Sequence, residues 1–265
     1  MQASVFDLEG NNVGSTELPA IFDTPINSKL INRVFWALFT HSVQPQGRSP
    51  VAGERTSAQS WNTGHGVARM ARVKGERNPR SGQAAGVAGV VKGRLAHPPK
   101  AEKVVWKRVN RKERLIALKS AVAATASSQA VAARGHVLAK VPSVPLVVDD
   151  KLQGLARAAD LRAFFEKLGL TPDIQRSAKR KQRSGKASWR GRSRRNGRGP
   201  LLVVSEDKGL SKAAGSFPGV EVVKVDDLSI IPLAPGGNAG RLTVWTRSSL
   251  AALSKRFEEV VLNAA

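Results

Sequence analysis

Cysteine is absent from the 265 residues, which excludes disulfides and thiolate metal sites and is compatible with a reducing interior. Acidic side chains are scarce. Twenty Asp and Glu stand against 43 Lys and Arg, for a net charge of +23, and such a field attracts polyanions and repels copies of itself. No run of about 18 apolar residues occurs, so no membrane-spanning helix is expected. The opening residues, MQASVFDLEG, show no basic stretch followed by an apolar one, so no secretory signal is expected either. Histidines are few and scattered. His41, His65, His97 and His136 lack metal-ligand spacing with one another or with an acidic pair, so no metal site and no cofactor are predicted.

The basic residues are present in two blocks. Residues 42–109 hold 13 basic and 3 acidic side chains, and residues 174–198 hold 11 basic and none acidic. The rest of the chain is close to neutral, with a hydrophobic fraction (41% overall) adequate for a core. Two irregular basic insertions in an ordinary globular body are the natural reading.

The neutral remainder alternates between strand and helix patterns. Residues 4–8 (SVFDL) read as a short edge strand. Residues 27–40 place Leu30, Val34 and Leu38 four apart, with Ile31 and Phe35 beside them, which predicts a helix with a buried stripe. An alanine-rich helix is predicted over 111–133, a strand over 144–148, and a helix over 152–168 stopped by Gly169. Strands follow at 201–204, 220–225 and 242–246, with a short helix around 208–214. A terminal helix aligns Leu250, Leu253, Phe257 and Val260. Short β-branched runs between helices predict an α/β fold with a mainly parallel sheet flanked by helices. The expected organisation is a globular body of 1–43 and 110–265, a long extended basic loop at 44–109, and a second basic segment at 174–199. The loop has too little apolar surface to repay its ordering and should settle only on an anionic partner.

Catalytic readings are weak. Asp149–Asp150 and Asp226–Asp227 follow predicted strands, where α/β enzymes place acids, but capping the next helix is the better account. Gly64-His65-Gly66 and the glycines of 236–240 lack the spacing and the strand-to-helix context of phosphate loops; the second reads as a tight turn into Leu242. The basic segments carry the stronger signal. In 176–198, RSAKRKQRSGKASWRGRSRRNGR, arginine forks can grip phosphate oxygens and glycines let backbones approach. The cations are Arg176, Lys179, Arg180, Lys181, Arg183 and Lys186, then Arg190, Arg192, Arg194, Arg195 and Arg198. Trp189 among them either stacks on an exposed base or packs onto its own domain. In the longer segment, Trp61 and Trp106 raise the same choice. Its candidate contacts are Arg48, Arg55, His65, Arg69, Arg72 and Lys74, followed by Arg77, Arg80, Lys92 and Arg94, and then Lys100, Lys103, Lys107 and Arg108. No apolar helix face lies opposite these charges, which argues against a membrane surface. No recognition helix or ribbon is evident, which favours RNA over DNA.

Three stretches are familiar as a set. GRLAHPPKAEKVVWKRVNRKERLIALKSAVAATA (93–126), LAPGGNAGRLTVWTRSSL (233–250) and TGHGVARMARVKG (63–75) resemble the universal large-subunit ribosomal protein of the L-four family. The turn at His97-Pro98-Pro99-Lys100 and the segment GKASWRGRSRRNGRGPLLVV are similar to its archaeal and eukaryotic branch. The lack of a long basic tail after the terminal helix suggests the archaeal type. This resemblance implies an α/β domain on the ribosome's outer surface and a long loop driven into large-subunit RNA, its tip at the wall of the peptide exit tunnel. It places the tip around 61–77, with Trp61, His65, Arg69, Arg72 and Lys74 at the tunnel, and Arg80, Lys92 and Arg94 pairing with rRNA along the arm. His65, Ala71 and Gly86 depart from the family's usual arginine, proline and aromatic, so the arginine contact and the stacking there have no direct counterpart.

The resulting expectation is a structural, non-enzymatic rRNA-binding protein of the large subunit in the cytoplasm. Its partners would be large-subunit rRNA, other large-subunit proteins and a nascent peptide at the tunnel wall. Two rivals use the same residues: a free RNA chaperone or mRNA-binding regulator, and a nucleotide-using RNA-processing enzyme built on the α/β body.

Overall fold

The structure, a computed structural model, describes residues 1–77 and 79–262, with the side chains of 258–262 outside that description. Val260, assigned above to the terminal helix's apolar face, is therefore outside the described side chains. The strands are β1 (Gln2–Phe6), β2 (Asn12–Glu17), β3 (Ala58–Ser60), β4 (Ala71–Val73), β5 (Leu146–Val148), β6 (Lys181–Gln182), β7 (Arg194–Arg195), β8 (Leu201–Val204), β9 (Glu221–Lys224) and β10 (Thr243–Thr246). The helices are α1 (Ser28–Phe39), α2 (Arg111–Ala126), α3 (Ser128–Ala133), α4 (Ala158–Lys167), α5 (Thr171–Ala178), α6 (Lys186–Trp189), α7 (Leu210–Ala214), α8 (Ile230–Leu233) and α9 (Arg247–Leu262).

Two compact units result: Met1–Phe39 with Lys107–Ala265, and Thr40–Trp106. In the first, a six-stranded sheet runs β2-β1-β5-β10-β8-β9. All its pairings are parallel except β1 with β2. The central strands β5 and β8 are wholly apolar runs because both faces are covered, and the two-residue period divides the sheet's side chains between two cores. Val147, Leu201, Val203 and Trp245 face one core with α1, α2, α8 and α9. Leu146, Val148, Leu202, Val204 and Val244 face the other with α4, α5 and α7. The α/β class with a mainly parallel sheet is thus realised.

Several element boundaries differ from the sequence pattern, each for a physical reason. The strand at the N-terminus is not the sheet's edge. β2 lies outside it, and β2 has no buried residue, so it offers no apolar alternation to read. The helix predicted over 111–133 divides at Ser127, whose hydroxyl accepts from the Ala130 amide at 3.3 Å and starts α3. The pattern over 152–168 is a 3-10 turn, Asp150–Gly154, then α4. Asp149 caps that turn through the Asp150 amide at 2.9 Å. Asp226 and Asp227 do not cap a helix: they sit in a turn after β9, and the residue preceding α8 is Ser229. The first residues of the second basic segment belong to α5, which buries Asp173, Ile174 and Ser177.

The second unit is not without secondary structure. β3 and β4 pair antiparallel, Ala58 with Val73 and Ser60 with Ala71. A further pass of chain joins the outer side of β4: the Val73 amide donates to Gln83 O at 2.9 Å and the Ala85 amide to Ala71 O at 3.0 Å. Farther along, the outgoing and returning chains meet backbone to backbone. The Arg48 amide donates to Pro99 O at 3.0 Å. A Cβ on Gly53, where φ is +88°, would lie 2.5 Å from Gly93 O, and one on Gly93 would lie 2.2 Å from Val87 O. Glycine is required at both.

Candidate nucleic-acid interface

Open parallel sheets usually bind small ligands beyond the carboxyl ends of their strands. Here that position is filled by the protein's own polar groups. Buried Gln153 donates to Ser248 Oγ at 2.6 Å, Ser205 and Ser248 share a hydroxyl bond of 2.8 Å, and Asp150 accepts from the Ser248 amide at 2.8 Å. The Asp150 carboxylate thus occupies the amino end of α9, where a phosphate would otherwise find unpaired amides. Among the described residues, no group of His, Asp and Glu is placed to hold a metal, and no helix is long and apolar enough to cross a membrane. The glycines of 236–240 form the turn into β10 that their spacing suggests.

The charge is displayed elsewhere. In the body, β6 and β7 form a two-stranded hairpin, with Lys181 opposite Arg195 and Gln182 opposite Arg194, and α6 lies in its loop. Alternation sets no inward face on so short a ribbon, so its side chains project into solvent. Lys179, Arg180, Lys181, Arg183, Lys186, Arg190, Arg192, Arg194 and Arg195 are exposed. None of these cations forms an ion pair among the described residues. Trp189 is 82% exposed. The alternative in which it packs onto its own domain is therefore not realised.

Two members of this segment are used differently. Arg176 is half-buried and grips Asp173 through Nε at 2.9 Å and Nη2 at 3.3 Å, and Nη2 also donates to Arg198 O at 2.6 Å. Arg198 pairs with Glu221. Both hold the root of the hairpin against the body. The root is fixed further by Arg241, fully buried, which donates to Gly199 O at 2.9 Å, Gly219 O at 3.1 Å, Pro232 O at 2.8 Å and Glu221 Oε2 at 2.6 Å. Burial, with a smaller contribution from Arg198, pushes the Arg241 guanidinium down to about 9, so it stays charged at neutral pH. The candidate residues named from sequence do not include Arg241. The one available signal was a lone cation between Gly240 and the apolar run that begins at Leu242.

In the second unit, Arg48, Arg55, His65, Arg69, Lys74, Arg77, Arg80, Lys92, Arg94, Lys100 and Lys103 are exposed, and so are Lys107 and Arg108 of the first. Arg94 faces Glu54 at 3.4 Å. Trp61, 43% exposed, has its ring 5.7 Å from that of His65, and the Arg72 guanidinium lies 5.6 Å from its centroid. Arg72 also donates to Gly82 O at 2.8 Å. This half-buried arginine therefore ties the pass of chain that follows β4 back to β4, as well as contributing charge. Trp106, 45% exposed, has its ring 5.9 Å from that of His41.

Beneath the hairpin root, buried His136 donates from Nδ1 to Asp173 Oδ2 at 2.9 Å, and Asp173 Oδ1 accepts from the Val137 amide at 3.0 Å. Burial lowers the His136 pKa, and Arg176 and Arg134 assist, outweighing the opposing pull of Asp173. Burial would raise the Asp173 carboxyl, but the His136 and Arg176 hydrogen bonds and the His136 charge prevail and lower it. In both cases the unfolded chain binds the proton more readily. Stability contributed by His136 is complete above its unfolded pKa near 6.5 and falls as pH drops toward the lower folded value; that from Asp173 is lost in a second step below about 3.8. Thermal melts should be flat from pH 7 to 8 and descend in these two windows. Asp173→Asn should remove the lower step and cost about 3 kcal/mol at pH 7, since it removes the charge facing Arg176 and replaces one of the two acceptor oxygens with a donor.

The sequence profile of the ribosomal protein L4/L1 family matches residues 16–256. The large ribosomal subunit protein uL4 of Methanopyrus kandleri is 47% identical over 260 residues, covering 98% of this chain and 100% of that protein. Its counterpart in Methanocaldococcus jannaschii is 46% identical over 259 residues, covering 97% and 100%. That of Saccharolobus islandicus is 43% identical over 257 residues, covering 96% and 94%. These relatives are archaeal, in keeping with the type expected from the sequence. The chain belongs to the ribosomal protein L4/L1 family.

Proposed function

We propose that the protein is a structural constituent of the large ribosomal subunit that grips large-subunit rRNA with two basic segments. Its relatives are large-subunit ribosomal proteins, which supports a structural and non-enzymatic role, and its place of action is the cytoplasmic ribosome. The mechanism is phosphate neutralisation with release of condensed counterions. The α/β body supplies rigid attachment: Arg241, Arg176 and Asp173 hold the β6–β7 hairpin at its root while its cations stay in solvent. In this reading residues 44–109 form a loop reaching into the rRNA. Trp61, His65, Arg69, Arg72 and Lys74 stand at its tip against the exit-tunnel wall, beside the nascent peptide. Neighbouring large-subunit proteins cover parts of the body.

The observation that carries the reading is Trp189. An indole left 82% exposed among unpaired cations loses apolar burial unless a partner covers it, and a base offers a flat apolar face that its neighbours' charge would bring within reach. Trp189→Ala should weaken binding to deproteinised large-subunit rRNA about 5- to 100-fold, the range of one base–aromatic stack, and leave the melting temperature within about 1 °C, as for an exposed side chain. An unchanged affinity would remove stacking from the account. An equal loss on tRNA would favour the general RNA chaperone instead.

A further inference from the structure

Neither basic segment includes the groove between the start of α1, the end of α3 and the turn before β10. It has a volume of about 770 Å³ and is lined by Ile26, Ser28, Lys29, Asn32, Ala130, Ala133, Arg134, Gly237, Asn238 and Ala239. That is the size range of small-ligand sites. Its chemistry is divided in a telling way. Lys29 and Arg134 supply positive charge, Asn32 and Asn238 supply amides, Ile26 and three alanines supply an apolar wall, and no lining residue is acidic.

Two further features make the place receptive to an anion. Arg134 donates to Pro235 O at 2.8 Å and to Asn238 O, so its guanidinium is held at the groove by the turn it supports. Burial brings its pKa down to about 10, and Arg241, Arg176 and Arg198 push it the same way. Among the described residues these four arginines have only the Asp173 and Glu221 carboxylates as ion-pair partners, and an added negative charge would relieve their repulsion. The turn also packs directly on α1 and α3, which fixes the walls of the groove. Gly237 and Gly240 have φ of +81° and +85°, and a Cβ on Gly237 would lie 2.5 Å from Asn32 Nδ2. The amino end of the 12-residue helix α1 adds a favourable dipole at the rim.

We propose that this groove is a third rRNA contact, holding one nucleotide with its phosphate against Lys29 and Arg134 and its sugar and base edge against Ile26, Ala130 and Ala133. The proposal rests on the rRNA-binding reading above and adds a site on the body that the two basic segments do not contain. The phosphate would meet the cations, while the apolar wall would distinguish a nucleotide from a free inorganic anion.

The test uses the full chain. Lys29→Glu combined with Ala133→Glu puts two carboxylates on exposed positions of the groove and leaves Arg134, which supports the turn, untouched. Affinity for large-subunit rRNA should fall about 10- to 100-fold, the effect of losing one to two phosphate contacts and adding repulsion, with an unaltered melting temperature. A photo-crosslinking amino acid at Ile26 should attach to rRNA in reconstituted large subunits. If the double variant binds within twofold of the parent while neutralising the β6–β7 cations still abolishes tight binding, the groove is not a contact and the wider reading stands. A crosslink to a neighbouring protein instead of rRNA would overturn the proposal in favour of a protein-docking groove. A parent chain without preference for large-subunit rRNA would overturn both readings.

Discussion

Replacing Lys181, Arg183, Lys186 and Arg190 together by glutamine is expected to weaken binding to large-subunit rRNA by about 300-fold at 0.15 M salt. The figure follows from counterion release. Each neutralised phosphate contributes about 0.7–0.9 to the slope of log affinity against log salt, so four lost contacts flatten the slope by about 3. All four side chains are exposed, and none has an ion pair among the described residues, so folding should not change. Titrations at a series of salt concentrations, alongside thermal melts, separate the two effects. A loss below threefold with an unchanged slope would mean that the hairpin does not touch phosphate.

Arg241→Met should act in the opposite manner, on stability first and RNA second. The fully buried guanidinium satisfies three carbonyls and the Glu221 carboxylate, and methionine has the volume but none of the donors. Removing one member of a buried charge pair costs about 3–5 kcal/mol. Glu221 keeps one-third of its side chain in solvent, which favours the lower end. At about 2–4 °C per kcal/mol for a chain of this size, the melting temperature should drop by about 6–12 °C. Arg241→Lys, with a single ammonium for four acceptors, should recover part of that loss. The β6–β7 cations remain in the sequence, so any fall in RNA affinity would come from a loosened root. A melting temperature within 2 °C of the parent would contradict the anchoring role of Arg241.

The legible parts of the fold were those where burial left a pattern. LLVV at 201–204 is buried at every residue, and a run of that kind has little alternative to a central strand. α1 could be read from its stripe of Ile31, Val34 and Phe35. β2 could not be read, because its residues meet solvent and only its backbone pairs with β1. The break at Ser127 was hidden by alanines on both sides, which favour helix without marking where one stops.

For the candidate site, composition located the charge but not its use. Nothing in the order of residues separates Arg176 and Arg72, which spend their guanidinium groups on the protein, from Arg183 or Arg190, which do not. That division depends on where Asp173, Gly82 and Trp61 arrive in space. The groove at Lys29 and Arg134 was illegible for the same reason: its residues come from three separate parts of the chain. The family resemblance supplied the ribosomal context that periodicity and charge alone leave open among several kinds of RNA-binding protein.

The most direct measurement is a competition titration of the intact chain on deproteinised large-subunit rRNA, with excess tRNA present, across a salt series. The account predicts tight binding that tRNA does not displace, with a steep negative dependence on salt. Equal affinity for both RNAs would contradict it, and the basic segments would then be a general adhesive for polyanions.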